Sequence, residues 1–512
     1  MIWTMVDGLI VLGYISLILW VGLKDRRLAQ GRGKKETLSE FSLADRQMPL
    51  WAVIASIIAA ETSAGTFLGT PGESFASRNF TYLQLAFGLV LGRIIIAFLF
   101  LKPFYKAGVY SIYEYLEIRF GPRTRKLSSG LFLFTRTLAS GTRLYIGAIL
   151  LAVGFRALRG GHGSAEEEWA LYAVAISVMT VLTAIYTTLG GIRAVIWTDT
   201  IQASLMVFSS VATFFFLLSK IPGGWAGAGE VLGGWDKVPF LDFGPSDWRE
   251  FLLSKYTVGA AIFGSTFTTL ATHGTDQDMV QRMLTAKDVQ RSRWSLIVSG
   301  IADIPIVFVF SALGILLWVF YQKFPDPSLP VKSNEVFSHF ILFGLPPVLR
   351  GLVIAGVLAT AMGSLSAALN ALATSYVRDF HSDTTSVRAA RVATLAISGI
   401  LLVVAIITAG FVVWIPDSRI IPIAIGVFGY TYGGVLGVFL LAMLTRNRGS
   451  DRWNGLAVSV SIITVFLLTG PPGIPLPSWV PVLAFPWRIL AGTAVTFIGG
   501  FCFRTRPGSK SH

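Results

Sequence analysis

The chain has 512 residues, of which 53% are hydrophobic and only 14% charged, with a net charge of +14 and a mean hydropathy of +0.66. A soluble domain carries roughly 25% charged residues, so an ordinary soluble protein is excluded. The single cysteine, Cys502, excludes a disulfide scaffold and a thiolate metal cluster.

The basic excess does not point to nucleic acid. Lys/Arg clusters at 24–35, 102–106, 119–126, 282–293, 378–391, 446–452 and 504–510 occupy nearly every second segment between apolar blocks. Cytoplasmic loops of membrane proteins are charged in this way. The apolar blocks run to about 18 residues or more, enough to cross a hydrocarbon core about 30 Å thick. Without water, backbone groups must bond within the segment, so the blocks are helices and the fold class is an all-α membrane bundle.

In chain order, thirteen transmembrane helices are predicted, at 4–23, 48–71, 80–102, 128–155, 169–189, 194–219, 255–273, 294–320, 348–377, 389–410, 419–444, 453–470 and 486–503. The first is read as a retained span, because it lacks a basic start and a small-residue cleavage site before Lys24-Asp25-Arg26-Arg27. Anchoring the basic clusters inside puts the N-terminus outside and the C-terminus in the cytoplasm. The longer outer pieces are then 156–168, 220–254 and 321–347, with Trp225, Trp235 and Trp248 as interfacial anchors. The expected setting is the lipid bilayer of a bacterial cytoplasmic (inner) membrane, and a monomer is expected. No phosphate-cradling glycine loop occurs, so ATP bound by this chain is not the energy source.

Two spans carry interruptions. Ala59-Ala60-Glu61-Thr62-Ser63-Ala64-Gly65-Thr66 lies halfway along the second, and Gly264-Ser265-Thr266-Phe267-Thr268-Thr269 in the seventh. Broken helices at matching places in two halves point to an inverted-repeat transporter with a midplane site. Small residues that permit close helix packing are the competing explanation. Close packing does not require a charge, however, and Glu61 supplies one.

An ionisable group at mid-bilayer costs upwards of about 2.5 kcal/mol and marks function by default. The candidates are Glu61, Arg93, Arg136, Arg143, Asp199 and Asp303. Arg136 and Arg143 are two turns apart and share a helix face. They are read either as a clamp for a solute carboxylate or as ion-pair partners of Glu61 or Asp303. A sodium ion should favour oxygen ligands, as other hard cations do. An unwound helix offers carbonyls, and the ninth span offers Thr360, Ser364 and Ser366. The histidines lie near cytoplasmic helix ends (His273, His381) or in loops and the tail (His162, His339, His512). They have no metal-ligand spacing, and no enzyme is expected.

The run Gly190-Gly191-Ile192-Arg193-Ala194-Val195-Ile196-Trp197-Thr198-Asp199-Thr200-Ile201-Gln202 resembles the signature of the sodium:solute symporter family. That family includes the sodium/glucose, proline, sialic acid, iodide and multivitamin cotransporters. Trp51 to Gly69, Asp276 to Arg282 and Gly351 to Asp379 are similar too, so the resemblance runs from about 40 to 445. It implies a leucine-transporter-like core of five plus five inverted helices. The first repeat would be 48–219, an outer loop 220–254 and the second repeat 255–445. Residues 1–47 would then be an added helix and basic loop, and 446–512 two C-terminal helices and a short tail.

The resemblance further implies a sodium site at Ala59, Thr62, Thr360, Gly363 and Ser364, with a second cation near Asp199 and Ser366. The family usually has a hydroxyl at Gly363, and some members have another at Ala367, so this chain lacks two of the expected ligands. Glu61, Thr66, Gln84, Arg143 and Arg136 are the expected solute contacts. The acid at Glu61 favours an amine-bearing or zwitterionic solute. Val109 to Glu117, closer to the monocarboxylate and vitamin branch, favours an organic anion together with the two arginines. The functional expectation is sodium-coupled symport of a small polar solute, an organic anion, amino acid or sugar-like molecule. Sodium is the coupling ion, and no cofactor or other metal is expected. A proton-coupled carrier titrating Glu61 or Asp199 is the alternative, and a transport-like sensor the more distant one.

Overall fold

The computed structural model describes residues 5–31, 37–159, 163–381, 386–415, 420–471 and 479–504, with Ile474 and Pro477 between the last two. His162, His512, the tail beyond 504 and parts of the basic clusters 24–35 and 378–391 lie outside the described residues. Among the described residues the chain is helical apart from turns, loops and two isolated bridges, Met48 with Ala286 and Arg448 with Arg504. Seven described helices are long and apolar enough to cross a membrane, eight if one bent pair counts as a single span.

The main helices are α1 (Met5–Gly31), α2 (Leu50–Glu61), α3 (Ala64–Ser77), α4 (Leu85–Leu99), α5 (Pro122–Arg159), α6 (Ala165–Lys220) and α7 (Thr266–Gly274). The remainder are α8 (Gln277–Leu284), α9 (Val289–Lys323), α10 (Leu349–Phe380), α11 (Val387–Trp414), α12 (Ile420–Leu444), α13 (Asn454–Leu467) and α14 (Phe485–Phe501). The helix α10 is the buried axis of the bundle and packs against α1, α2, α3, α5, α6 and α11. Its composition explains this. Gly351, Ala355, Gly356, Ala359, Ala361, Gly363, Ala367 and Ala371 let neighbouring backbones approach closely. A Cβ on the facing Gly147 of α5 would lie 2.7 Å from the Ala361 Cβ. The helices α12, α13 and α14 pack on one another.

The predicted interruption in the second span is a real break. The helix α2 ends at Glu61, Thr62 and Ser63 are extended, and α3 leaves at 63°. Ser63 starts the new helix by accepting the Thr66 amide on its hydroxyl at 3.4 Å. Helix ends leave their last carbonyls without intrahelical partners, so the break exposes oxygens at mid-span. The interruption expected at Gly264–Thr269 is different. Residues Ala260–Ser265 wind as a π-helix that runs straight into α7. Three hydroxyls there donate to carbonyls, Ser265 to Leu85 at 2.9 Å, Thr266 to Gly88 at 3.3 Å and Thr268 to Gly264 at 2.9 Å, whereas the buried Thr269 hydroxyl has no partner among the described residues.

The predicted fifth and sixth spans are joined in α6, which breaks helical geometry once, at Gly191 (φ 58°, ψ −159°). That region is essentially restricted to glycine. A Cβ there would also meet the Phe41 carbonyl at 2.7 Å. Gly191→Ala is therefore expected to lower stability by about 1–3 kcal/mol or more, read as a drop in the unfolding temperature of the purified protein. Gly399, where a Cβ meets nothing within 4 Å, is the control.

The tryptophans of 220–254 divide in their placement. Trp225 and Trp235 stack on each other at 4.1 Å, with the Trp235 indole donating to the Trp225 carbonyl, whereas Trp248 is exposed.

Candidate functional site

A cavity of about 320 Å³ opens beside the α2/α3 break, between the break and helices α4, α5, α7, α9 and α12. Glu61, Thr62, Thr66, Arg136, Arg143 and Asp303 all line it, so the structure brings these candidate residues together. Gln84 is not among them. Its amide donates to the Thr81 and Tyr256 carbonyls and accepts the Asp242 amide at 3.1 Å, tying the segment around Asp242 and Tyr256 to the start of α4. Both ends of its amide are thus bonded within the protein.

The acid at Glu61 does not pair with Arg136 or Arg143. Arg93, fully buried on α4, donates to Glu61, to Asp303 at 2.6 Å and to the Ser299 hydroxyl at 2.9 Å. His273 stands beside them, 3.4 Å from the Arg93 guanidinium and 3.6 Å from the Glu61 carboxylate. It lies in the last turn of α7, at a helix end as expected, and is buried and lines the cavity. Thr266, Thr269 and His273 recur at i, i+3 and i+7 on one face of α7, the two threonines lying against Gly88 and Gly92 of α4 and the histidine beside Arg93 of the same helix.

Arg136 is committed elsewhere, to Asp278 and, at 3.2 Å, to Asp276. Arg282 bridges Asp278 at 2.5 Å and Asp199 at 3.0 Å, while Tyr432 donates to Asp276 at 2.6 Å and Ser56 to Asp199 at 2.6 Å. The ion pair foreseen for Arg136 therefore exists, but its partners belong to the Asp276–Arg282 motif rather than to Glu61 or Asp303. Isolated buried charges are prohibitive and persist only when paired and hydrogen-bonded. Arg143 differs from the rest. Among the described residues it makes no ion pair, and its guanidinium lies 5.3 Å from the Phe428 ring at the cavity wall. On its other side Arg143 borders a gap of about 10 Å³ shared with Ser63, Ser140 and Ser364.

The broken helix and α10 meet beside this cavity. A Cβ built on Gly363 would lie 3.8 Å from the Ala59 carbonyl oxygen. Ser364 is buried and its hydroxyl has no hydrogen-bond partner. Thr360 donates to the Val357 carbonyl at 2.8 Å and Ser366 to Gly363 at 3.0 Å, so the protons of both hydroxyls are used by their own helix. Asp199 keeps one oxygen, Oδ1, without a partner.

The Sodium:solute symporter family profile matches residues 41–450. The chain belongs to the sodium:solute symporter family. Its similarity to the sodium/sialic acid symporter SiaT of Proteus mirabilis is 27% identity over 469 residues, covering 89% of this chain and 88% of that protein. The sodium-coupled monocarboxylate transporter 2 of Bos taurus is 28% identical over 465 residues, covering 88% of this chain and 69% of the relative.

Among solved structures, a substrate-bound outward-open state of a Na+-coupled sialic acid symporter aligns with a TM-score of 0.79. The two chains share 23% identity, with 98% of this chain and 97% of that one covered. Mhp1, a nucleobase-cation-symport-1 family transporter, aligns at 0.56 with 14% identity, covering 90% and 93%. These similarities establish the fold as that of leucine-transporter-like carriers. As a member of this family the chain is a multi-pass sodium-coupled transporter of a small solute rather than an enzyme.

Proposed function

We propose that this symporter carries a small carboxylate-bearing solute inward with sodium by alternating access. The observation that carries the solute class is Arg143, a guanidinium at the cavity wall that pairs with no carboxylate among the described residues. A planar fork of donors in a desolvated pocket matches a carboxylate better than any neutral group. The two halves that would rock are 48–219 and 255–445, five spans each of thirteen. The N-terminus would face outside and the C-terminus the cytoplasm of a bacterium. Sodium held between the break at Ala59–Thr62 and Gly363–Ser364 of α10 would close the gap and favour the solute-binding state. That is coupling through linkage.

The energetics are sufficient. A potential of 100 mV supplies about 2.3 kcal/mol per charge, and a tenfold sodium gradient about 1.4 kcal/mol. Together they sustain an accumulation of several hundredfold.

A second reading of the solute rests on a separate observation. The cluster at the other pole of the cavity sets one guanidinium, Arg93, against two carboxylates, Glu61 and Asp303. That negative excess favours an ammonium on the same solute, hence a zwitterion. One screen separates the readings. With sodium present, carboxylates or amino acids are expected to stabilise the purified protein by about 2.7 kcal/mol at a hundredfold excess over Kd. Sugars should not, and choline in place of sodium should abolish the effect. Stabilisation by amino acids alone selects the zwitterion. Stabilisation by sugars overturns both readings. Accumulation retained in sodium-free buffer at acidic pH, and lost in Glu61→Gln, would replace sodium by protons.

A further inference from the structure

Gln202 closes the family signature, one helical turn beyond Asp199 on α6. It is 1% exposed, and its side-chain carbonyl Oε1 has no hydrogen-bond partner. A buried polar atom left in this state costs about 1–3 kcal/mol, so the position needs a physical reason. The other end of the amide is fixed. Nε2 donates to the Tyr14 hydroxyl at 3.3 Å, and that hydroxyl directs its own proton at the Met362 sulfur 3.9 Å away. The oxygen is thereby turned toward α10.

What it meets there is Gly363. A Cβ on Gly363 would lie only 2.8 Å from Gln202 Oε1, and the Ala59 carbonyl oxygen is 3.8 Å from the same point. The missing side chain is therefore what admits the amide oxygen between α10 and the open end of α2. Ser364 Oγ and Asp199 Oδ1 are buried nearby in the chain and likewise without partners. These three atoms are oxygens, the donor type that hard cations take.

The charge count agrees. Among the described residues the ion pairs of Asp199, Asp276 and Asp278 set three carboxylates against two guanidiniums, Arg136 and Arg282. Arg143 pairs with none of them.

From this geometry we infer that the Gln202 side-chain carbonyl is itself a sodium ligand, taking the place of the hydroxyl that position 363 lacks. The inference rests on the sodium-coupled reading above and adds to it a residue from α6.

Sodium-dependent thermal stabilisation of the full purified chain tests it, titrating sodium chloride against choline chloride at constant ionic strength. Gln202→Ala is expected to raise the half-saturating sodium concentration about tenfold or more, equivalent to about 1.4 kcal/mol. Combining it with Gly363→Ser is expected to restore the value to within about threefold of the parent, since the hydroxyl returns and the oxygen that would crowd its Cβ is gone. Gly363→Ser alone should weaken sodium binding through that crowding. An unchanged sodium response in Gln202→Ala overturns the inference while leaving sodium coupling intact. If the parent itself shows no sodium response beyond that of choline, sodium coupling falls and the inference falls with it. Should Gln202→Ala fail to fold, the double variant carries the test, and a sodium response still weakened about tenfold there overturns the inference.

Discussion

Arg282→Leu is expected to destabilise the protein by about 3–5 kcal/mol, the cost of removing one partner from a buried ion pair. Arg282 is fully buried, and its two donor nitrogens reach Asp278 at 2.5 Å and Asp199 at 3.0 Å. Neither aspartate sees water, so each would be left with a charge it cannot solvate. The damage would spread, because Asp278 also holds Arg136, and Asp276 links Arg136 to Tyr432 on α12. Arg282→Lys keeps a charge but loses the fork that spans two carboxylates, and should recover only part of the loss. Arg291 supplies the contrast. Its pair with Asp288, about half exposed, should contribute no more than about 1 kcal/mol. Denaturation of the three variants in one detergent decides the matter. Equal losses for Arg282→Leu and Arg291→Leu would show that the buried network does not hold the bundle together.

Arg143→Gln is expected to abolish most transport with little effect on folding. The side chain makes no ion pair among the described residues, so its removal leaves none of their acids stranded. Truncating one partner of a desolvated charge pair with a ligand costs about 2–5 kcal/mol. At the lower end that is about a thirtyfold loss in affinity for a carboxylate solute. Arg143→Lys should be intermediate, since an ammonium supplies charge without the paired donors. Uptake into proteoliposomes, with solute binding followed separately by thermal stabilisation, measures both. The stability of the solute-free protein should stay within about 0.5 kcal/mol of the parent, as for substitutions that disturb no packed network. A carboxylate KM unchanged in Arg143→Gln would remove the proposed anion site.

The two arginines of α5 illustrate how far a helical repeat carries. Spacing of seven correctly put Arg136 and Arg143 on one face, and both border the cavity. Which of them is spent on structure depended on a short motif, Asp276 to Arg282, folding back against that face. Nothing in local periodicity encodes such a contact across 140 residues. Glu61 follows the same logic. Its position at a break was readable from small and polar neighbours, but its partner, Arg93 on α4, was set by how α4 and α9 pack around it.

By itself the sequence determined the class. Apolar blocks of spanning length, basic segments between them, the thirteen-residue signature and the polar interruption at 59–66 each follow from local composition. Lipid punishes any other reading of them, because an unbonded amide or unpaired charge there has no solvent to fall back on. Only the tertiary structure decided that Gly264–Thr269 stays wound, that Gln84 anchors a loop, that His273 joins Glu61, and that Gln202 points an unpartnered oxygen at Gly363. Those outcomes turn on which buried group finds a partner on another helix. Partners hundreds of residues apart are selected by packing, which no pattern of neighbours along the chain records.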